Sequence, residues 1–157
     1  MTDKLYHPTY DQIHDACWGL GKQIQLYNMR PDLIIGVSRG GLMPANTLSQ
    51  MLNIPLIPVS YSSKKGKGDD RNHDNRLPVI DGKKTILILD DICDSGHTLK
   101  EIADIYTNVT NHTVYTAAIY YKRISNPPIV PNLMWVTIPE DAPWVIFPWE
   151  KDTFHTE

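Results

Sequence analysis

Cysteine is scarce in this chain: 157 residues hold two, Cys17 and Cys93. Two thiols do not make the disulfide framework of a small secreted domain, so a reducing compartment, the cytoplasm, is expected. Long apolar runs are absent too. No stretch approaches the ~18 residues that span a bilayer, and the N-terminus lacks the apolar segment of a secretory signal, so no membrane association is expected. Charge of one sign is equally lacking. Fifteen Lys and Arg stand against eighteen Asp and Glu, a formal charge of −3. Such a balance gives no global attraction to nucleic acid or to an anionic membrane, and any anion site must be local. What remains is ordinary for a soluble globular protein, 41% apolar and 21% charged, and the length suits a single domain, 1–157, with a sizeable core.

The most informative stretch is Ile86 to Thr98, ILILDDICDSGHT. Four apolar residues of strand length, entered from a turn-like Asp81-Gly82-Lys83-Lys84, have the look of a central strand buried on both faces of a parallel sheet. Asp90 and Asp91 then lie at its carboxyl end, where open α/β sheets bind ligands. Asp94-Ser95-Gly96-His97-Thr98 turns into a helix beginning near Leu99, and its N–H groups and hydroxyls suit a phosphate. A plainer reading makes Asp94 a helix cap and leaves Asp90 and Asp91 as solvated strand-end residues.

The rest of the chain alternates strand and helix. Thr9 and Gln12 have capping-box spacing, and Ile13, Ala16, Leu20, Ile24 and Tyr27 follow at helical intervals, which predicts a helix over 10–28 that Gly19 and Gly21 weaken. His14 falls near its apolar stripe and reads as structural. Leu33 to Val37 is a short strand, Ser38-Arg39-Gly40-Gly41 a glycine turn, and Leu42 to Leu52 a helix. Ile54 to Val59 is a third strand whose two prolines point to an edge or an irregular position. Residues 60–76, SYSSKKGKGDDRNHDNR, form a polar loop too long for a tight hairpin. Leu99, Ile102, Ala103 and Tyr106 give the next helix an apolar face. Val114 to Tyr120 and Leu133 to Ile138 are strands around a proline-containing loop from Lys122 to Pro131. The expected fold is α/β, a mostly parallel sheet flanked by helices.

ILILDDICDSGHT fits all thirteen positions of the phosphoribosyl-pyrophosphate signature, and VSRGG, residues 37–41, is a second match. The sequence therefore resembles the type I phosphoribosyltransferases, and its end, IPEDAPWVIFPWE, makes it similar to the bacterial xanthine-guanine and hypoxanthine members. The resemblance implies a Mg²⁺-dependent transfer of 5-phosphoribose from phosphoribosyl pyrophosphate to a 6-oxopurine, in purine salvage. It implies that Asp90 and Asp91 engage the ribose hydroxyls and, directly or through water, Mg²⁺. Asp94 is the catalytic group at the purine N7. Ser95, Gly96, His97 and Thr98 hold the 5′-phosphate, and Ser38, Arg39 and Gly40 the pyrophosphate. Residues 60–76 form an active-site loop in which Lys64, Lys65, Lys67, Arg71 or Arg76 meets phosphate. Residues 122–157 supply much of a hood over the base, where Lys122 donates to O6, Trp144 stacks and Val145 contributes to base binding. A homo-oligomer, a homodimer or larger, is also implied.

Ile146 stands where the xanthine-guanine enzymes carry an acid, and the hood is one residue longer around Pro143. Other readings are a regulator of this fold acting on RNA or DNA, an interaction protein that has lost the chemistry, or a transferase for adenine or a pyrimidine. The charge of −3 weighs against the first, and the intact Asp90, Asp91, Asp94 and Arg39 against the second.

Overall fold

The structure, a computed structural model, describes residues 6–63 and 77–150. The basic residues of the 60–76 loop and the segment 151–157 lie outside them.

Five strands, β1 (Leu33–Ser38), β2 (Leu56–Ser60), β3 (Thr85–Cys93), β4 (Thr113–Arg123) and β5 (Leu133–Pro139), make one sheet in the order β2-β1-β3-β4-β5, every pair parallel. Parallel neighbours need crossover connections, and these carry α2 (Leu42–Leu52) and α3 (His97–Asp104), while α1 (Tyr10–Leu26) precedes the sheet. The expected α/β sheet is what is found, with β3 at its centre and β2 at one edge. Alternate residues of β3 feed two cores. Leu87 and Leu89 pack with Ile13, Leu20 and Leu48 of α1 and α2, whereas Ile86 and Ile88 pack with Leu99, Ile102 and Tyr106 on the other face. A strand covered on both faces has no polar side to show, hence the unbroken apolar run.

Helix α1 starts where its capping box predicts. The Gln12 N–H donates to Thr9 Oγ1 at 3.1 Å, and the Thr9 N–H to Gln12 Oε1 at 2.9 Å. It ends two residues earlier than expected, because Asn28 adopts φ 53°, a left-handed conformation that asparagine tolerates, and Tyr27 is left exposed. Gly19 and Gly21 do not interrupt it. The Trp135 ring of β5 lies over Gly19, and Leu48 of α2 lies against Gly21, so both positions serve close packing. His14 is exposed, off the buried face.

Two strands run at least two residues longer than the sequence suggests. β4 continues to Arg123, so Lys122 belongs to a strand and the loop expected from it starts two residues later. β3 continues through Cys93, so Asp90 and Asp91 lie within the strand instead of beyond it. The reason is pairing: β1 leaves β3 at Gly36↔Leu89, while β4 stays with it to Cys93↔Tyr121. From Asp90 onward β3 is free on its β1 side. The chain also reverses its direction of sheet growth between β1 and β3, which makes this the switch point where ligand crevices form. After α3, Ile105–Val109 forms a π-helical turn with no clear sequence signal. No helix among the described residues is long and apolar enough to cross a membrane.

α2 sits close enough to β1 that a Cβ on Gly36 would lie 2.8 Å from the Ala45 Cβ. Gly36→Val should therefore destabilise the protein by about 1–3 kcal/mol through overpacking, despite valine's better strand propensity. Chemical denaturation reads this directly; an unchanged or raised midpoint would mean that α2 is not seated as described.

Candidate active site

The chemistry-bearing residues gather at the carboxyl ends of β1, β3 and β4. The turn after β1 carries Ser38, Arg39 and Gly40, with the Ser38–Arg39 peptide cis and the Arg39 side chain exposed. Gly40 sits against the Asp91 carboxylate so closely that a Cβ there would fall onto it, so glycine is required for the β1 turn to approach β3. This contact joins the two sequence motifs.

Asp90 Oδ1 accepts from the Asp91 N–H at 2.8 Å, and Asp91 Oδ1 from the Ile92 N–H at 2.7 Å. Burial, followed by the charge of Asp91, holds the Asp90 carboxyl well above its ordinary range. Asp91 is 7% exposed, and burial pushes it from 3.8 up to about 6, with the Glu150 charge adding to the rise. Two carboxylates crowded at a buried edge call for a cation. Magnesium suits this donor set: it prefers oxygen ligands and is commonly held by one or two carboxylates together with substrate phosphates. Among the described residues no group of three or more acidic, histidine or cysteine side chains is placed to hold a metal alone, so a substrate would complete the coordination.

Beyond the acids, Asp90, Asp94, Ser95, Gly96 and Thr98 line a cavity of about 100 Å³ at the start of α3. Gly96, at φ 85°, precedes the helix, which no side chain caps. Asp94 is thus not the helix cap that the plainer sequence reading allowed. The His97 N–H reaches Ser95 Oγ at 3.4 Å, and the first turn of α3, which borders the cavity, has no side-chain cap. Cys93, next to this turn, is buried, and its thiol is pushed up to about 12 by burial, which keeps it protonated and unreactive.

Asp94 faces Lys122 instead. Lys122 Nζ lies 3.0 Å from Asp94 Oδ1, with the lysine 18% and the aspartate 48% exposed. The register explains the meeting, since one step past Cys93↔Tyr121 brings Asp94 abreast of Lys122. Both line a cavity of about 60 Å³ closed by Ile138, Pro143, Trp144, Val145 and Glu150. Trp144 is 65% exposed, so it is not core, whereas Val145 is buried. Tyr6 positions this hood: its N–H donates to the Trp144 carbonyl at 3.0 Å, and its carbonyl accepts from the Ile146 N–H at 2.9 Å. The bridge leaves the N–H and carbonyl of Val145 without a partner among the described residues. A larger cavity of about 530 Å³ lies around Tyr6, Tyr120 and Val136, and shares Ile138, Pro143 and Val145 with the smaller one.

Sequence reasoning did not find Tyr6, the Asp94–Lys122 pair, or the contacts that bind the end of β2 to α3. There the Tyr61 hydroxyl donates to Glu101 Oε1 at 3.2 Å and the Ser63 N–H to Thr98 Oγ1 at 3.3 Å. Except for Tyr6 and Glu101, these residues lay in stretches already marked, but the contacts join residues distant in sequence.

An open parallel sheet with an acid pair, an uncapped helix start and a guanidinium at its switch point defines an α/β protein built to hold a phosphorylated small molecule. Comparison with known proteins is specific: residues 9–151 match the phosphoribosyl transferase domain, and the chain belongs to that family. It is 30% identical to a xanthine-guanine phosphoribosyltransferase of Roseobacter denitrificans over 99% of this chain and 90% of that one. It also superposes on a purine phosphoribosyltransferase from Pyrococcus horikoshii with a TM-score of 0.71 at 30% identity, covering 96% of this chain and 97% of that one. A xanthine-guanine-hypoxanthine phosphoribosyltransferase from Helicobacter pylori shares the fold, with a TM-score of 0.74 at 22% identity over 94% of each chain.

The elevated Asp91 carboxyl makes the ligand-free site a source of instability. Above about pH 6 the fold must hold this carboxylate ionised, and below the unfolded value of 3.8 it is neutral in both states and the penalty vanishes. Asp91→Asn keeps an acceptor for the Ile92 N–H, so it should raise the stability of the unliganded protein by roughly 1–3 kcal/mol near pH 8 and by almost nothing near pH 4. Urea unfolding at the two pH values checks this; a gain that is the same at both, or a loss near pH 8, would contradict it.

Proposed function

We propose that this protein transfers 5-phosphoribose from phosphoribosyl pyrophosphate to the N9 of a 6-oxopurine, producing a nucleoside 5′-monophosphate and pyrophosphate. The observation that carries the reading is the Asp94–Lys122 pair, set between the phosphate-sized cavity of α3 and a hood that exposes Trp144. A 6-oxopurine presents O6 and N7 side by side on one edge. Lys122 donates to O6, and Asp94 takes or hydrogen-bonds the N7 proton as N9 attacks. The Trp144 indole stacks on the ring, and the free Val145 carbonyl accepts from N1–H.

The sugar side follows from the remaining groups. Ser95, Gly96, His97 and Thr98 hold the 5′-phosphate at the helix start, and Ser38, Arg39 and Gly40 hold the pyrophosphate. Asp90 and Asp91 take the ribose hydroxyls and are the residues that would hold a Mg²⁺, which would supply charge neutralisation for the leaving pyrophosphate. Positive charge that develops on the ribose as the bond to pyrophosphate loosens is met by these same acids. The reading also includes a cytoplasmic homo-oligomer, a single catalytic domain over 1–157, a 60–76 loop that closes on the diphosphate and a hood drawn from 122–157. The family match over 9–151 supports the single catalytic domain, and a content of two cysteines supports a reducing compartment.

Pyrophosphate release from phosphoribosyl pyrophosphate with Mg²⁺, measured across guanine, hypoxanthine, xanthine, adenine and uracil, should show turnover with 6-oxopurines. Turnover with adenine or uracil alone would refute the base assignment. Asp94→Asn leaves α3 without any cap to lose, so stability should hold while turnover falls about 10²- to 10⁴-fold with small changes in KM. A folded variant with near-normal turnover would remove Asp94 from the proton step.

A further inference from the structure

We infer that Glu101 is a positioning residue for the 5′-phosphate: through Tyr61 it holds the Tyr61–Ser63 segment on α3 and so aims the Thr98 hydroxyl into the phosphate cavity. The inference rests on the phosphate half of the reading above and deepens it.

Thr98 stands in the first turn of α3 and lines the cavity of about 100 Å³ together with Ser95 and Gly96. A threonine hydroxyl has one hydrogen to give and two lone pairs, and it rotates to suit whatever neighbour it meets. Here that neighbour is the Ser63 N–H, which donates to Thr98 Oγ1 at 3.3 Å. The contact occupies a lone pair on the Ser63 side, which leaves the hydroxyl hydrogen for an acceptor in the cavity, and a phosphate oxygen is such an acceptor. Ser63 is only 5% exposed, so water competes little for the contact.

The placement of Ser63 traces back two residues. β2 ends at Ser60, opposite Ser38 of β1, so the backbone pairing that steadies the β1 turn stops there. From that point the chain crosses to α3, where the Tyr61 hydroxyl donates to Glu101 Oε1 at 3.2 Å. Glu101 follows Thr98 by three residues on the same helix face, so the two contacts stand one turn apart. Burial, then the charge of Glu101, raises the Tyr61 phenol above its ordinary value, which keeps it protonated and a donor.

Stability alone does not account for this carboxylate. Its second oxygen, Oε2, is shielded from solvent and has no hydrogen-bond partner among the described residues, an arrangement that costs the fold energy. What the carboxylate secures is the direction of the tyrosine, by a hydrogen bond that its charge strengthens.

Titration calorimetry on the full chain, with ribose 5-phosphate and separately with pyrophosphate and Mg²⁺, tests the inference in the native protein, Tyr61→Phe, Glu101→Ala and Glu101→Gln. Tyr61→Phe and Glu101→Ala should weaken ribose 5-phosphate binding about three- to tenfold, while pyrophosphate, held at the β1 turn, keeps its affinity. Glu101→Gln retains an acceptor for the phenol and should recover most of what Glu101→Ala loses. Chemical denaturation reports that each variant is folded. Tyr61→Phe removes one oxygen and no charge, so it decides the outcome if Glu101→Ala does not fold. Unchanged ribose 5-phosphate affinity in folded variants, or an equal loss for both ligands, would overturn the positioning role and leave the phosphate reading standing. A native protein that binds no ribose 5-phosphate would overturn the 5′-phosphate assignment and this inference with it.

Discussion

A single ion pair, Lys122 to Asp94 at 3.0 Å, holds the base side of the site together. Its partners stand at the ends of adjacent parallel strands, and they meet because β3 and β4 stay in register up to Cys93↔Tyr121. The pair is half open to solvent on the aspartate side, so its contribution to stability is small. Its significance is positional. It holds an ammonium and a carboxylate next to each other, which in the proposed function is the arrangement that meets two neighbouring polar atoms on a purine edge. Had β4 ended at Tyr120, as its apolar run suggests, Lys122 would hang from a loop and the two groups would have no fixed relation.

The phosphate side depends on a different constraint, the divergence of β1 from β3 at Leu89. Pairing lost on that edge leaves Asp90 and Asp91 in a strand whose neighbour has turned away, and Gly40 fills the gap with backbone alone. The carboxylates are therefore dehydrated and close together, and burial raises both pKa values. In the proposed function, a magnesium-bearing substrate would relieve that crowding on binding.

Much of this was legible in the residues. The apolar run Ile86–Leu89 announced a strand buried on both faces, Thr9 with Gln12 fixed the start of α1, and Pro55 and Pro58, beside and within β2, pointed to its edge position. The acids, the Ser38–Gly41 turn and the Ser95–Thr98 turn were visible as motifs, because each is a local pattern of consecutive residues. What was not legible is non-local. Tyr6 pairs with a hood nearly 140 residues away, and Gly19 is required by a tryptophan on the far edge of the sheet. Asp94 appeared open to a cap or a catalytic reading, and the cap falls away only in the structure, where no side chain caps α3 and Asp94 meets Lys122. Strand ends were also missed at Arg123 and Cys93, since pairing with a neighbour carries polar residues into a strand against their own propensity.

The central claim is that Asp94 and Lys122 act on the base as one unit, and a double-mutant cycle on kcat/KM for hypoxanthine measures this most directly. Asp94→Asn, Lys122→Met and the double variant are compared with the native enzyme under identical Mg²⁺ and phosphoribosyl pyrophosphate. The account predicts strong non-additivity, the double variant being little worse than the poorer single one, because either change alone already leaves the other group without its partner. Additive losses would show two independent contributions, and the paired reading of the purine edge would be contradicted.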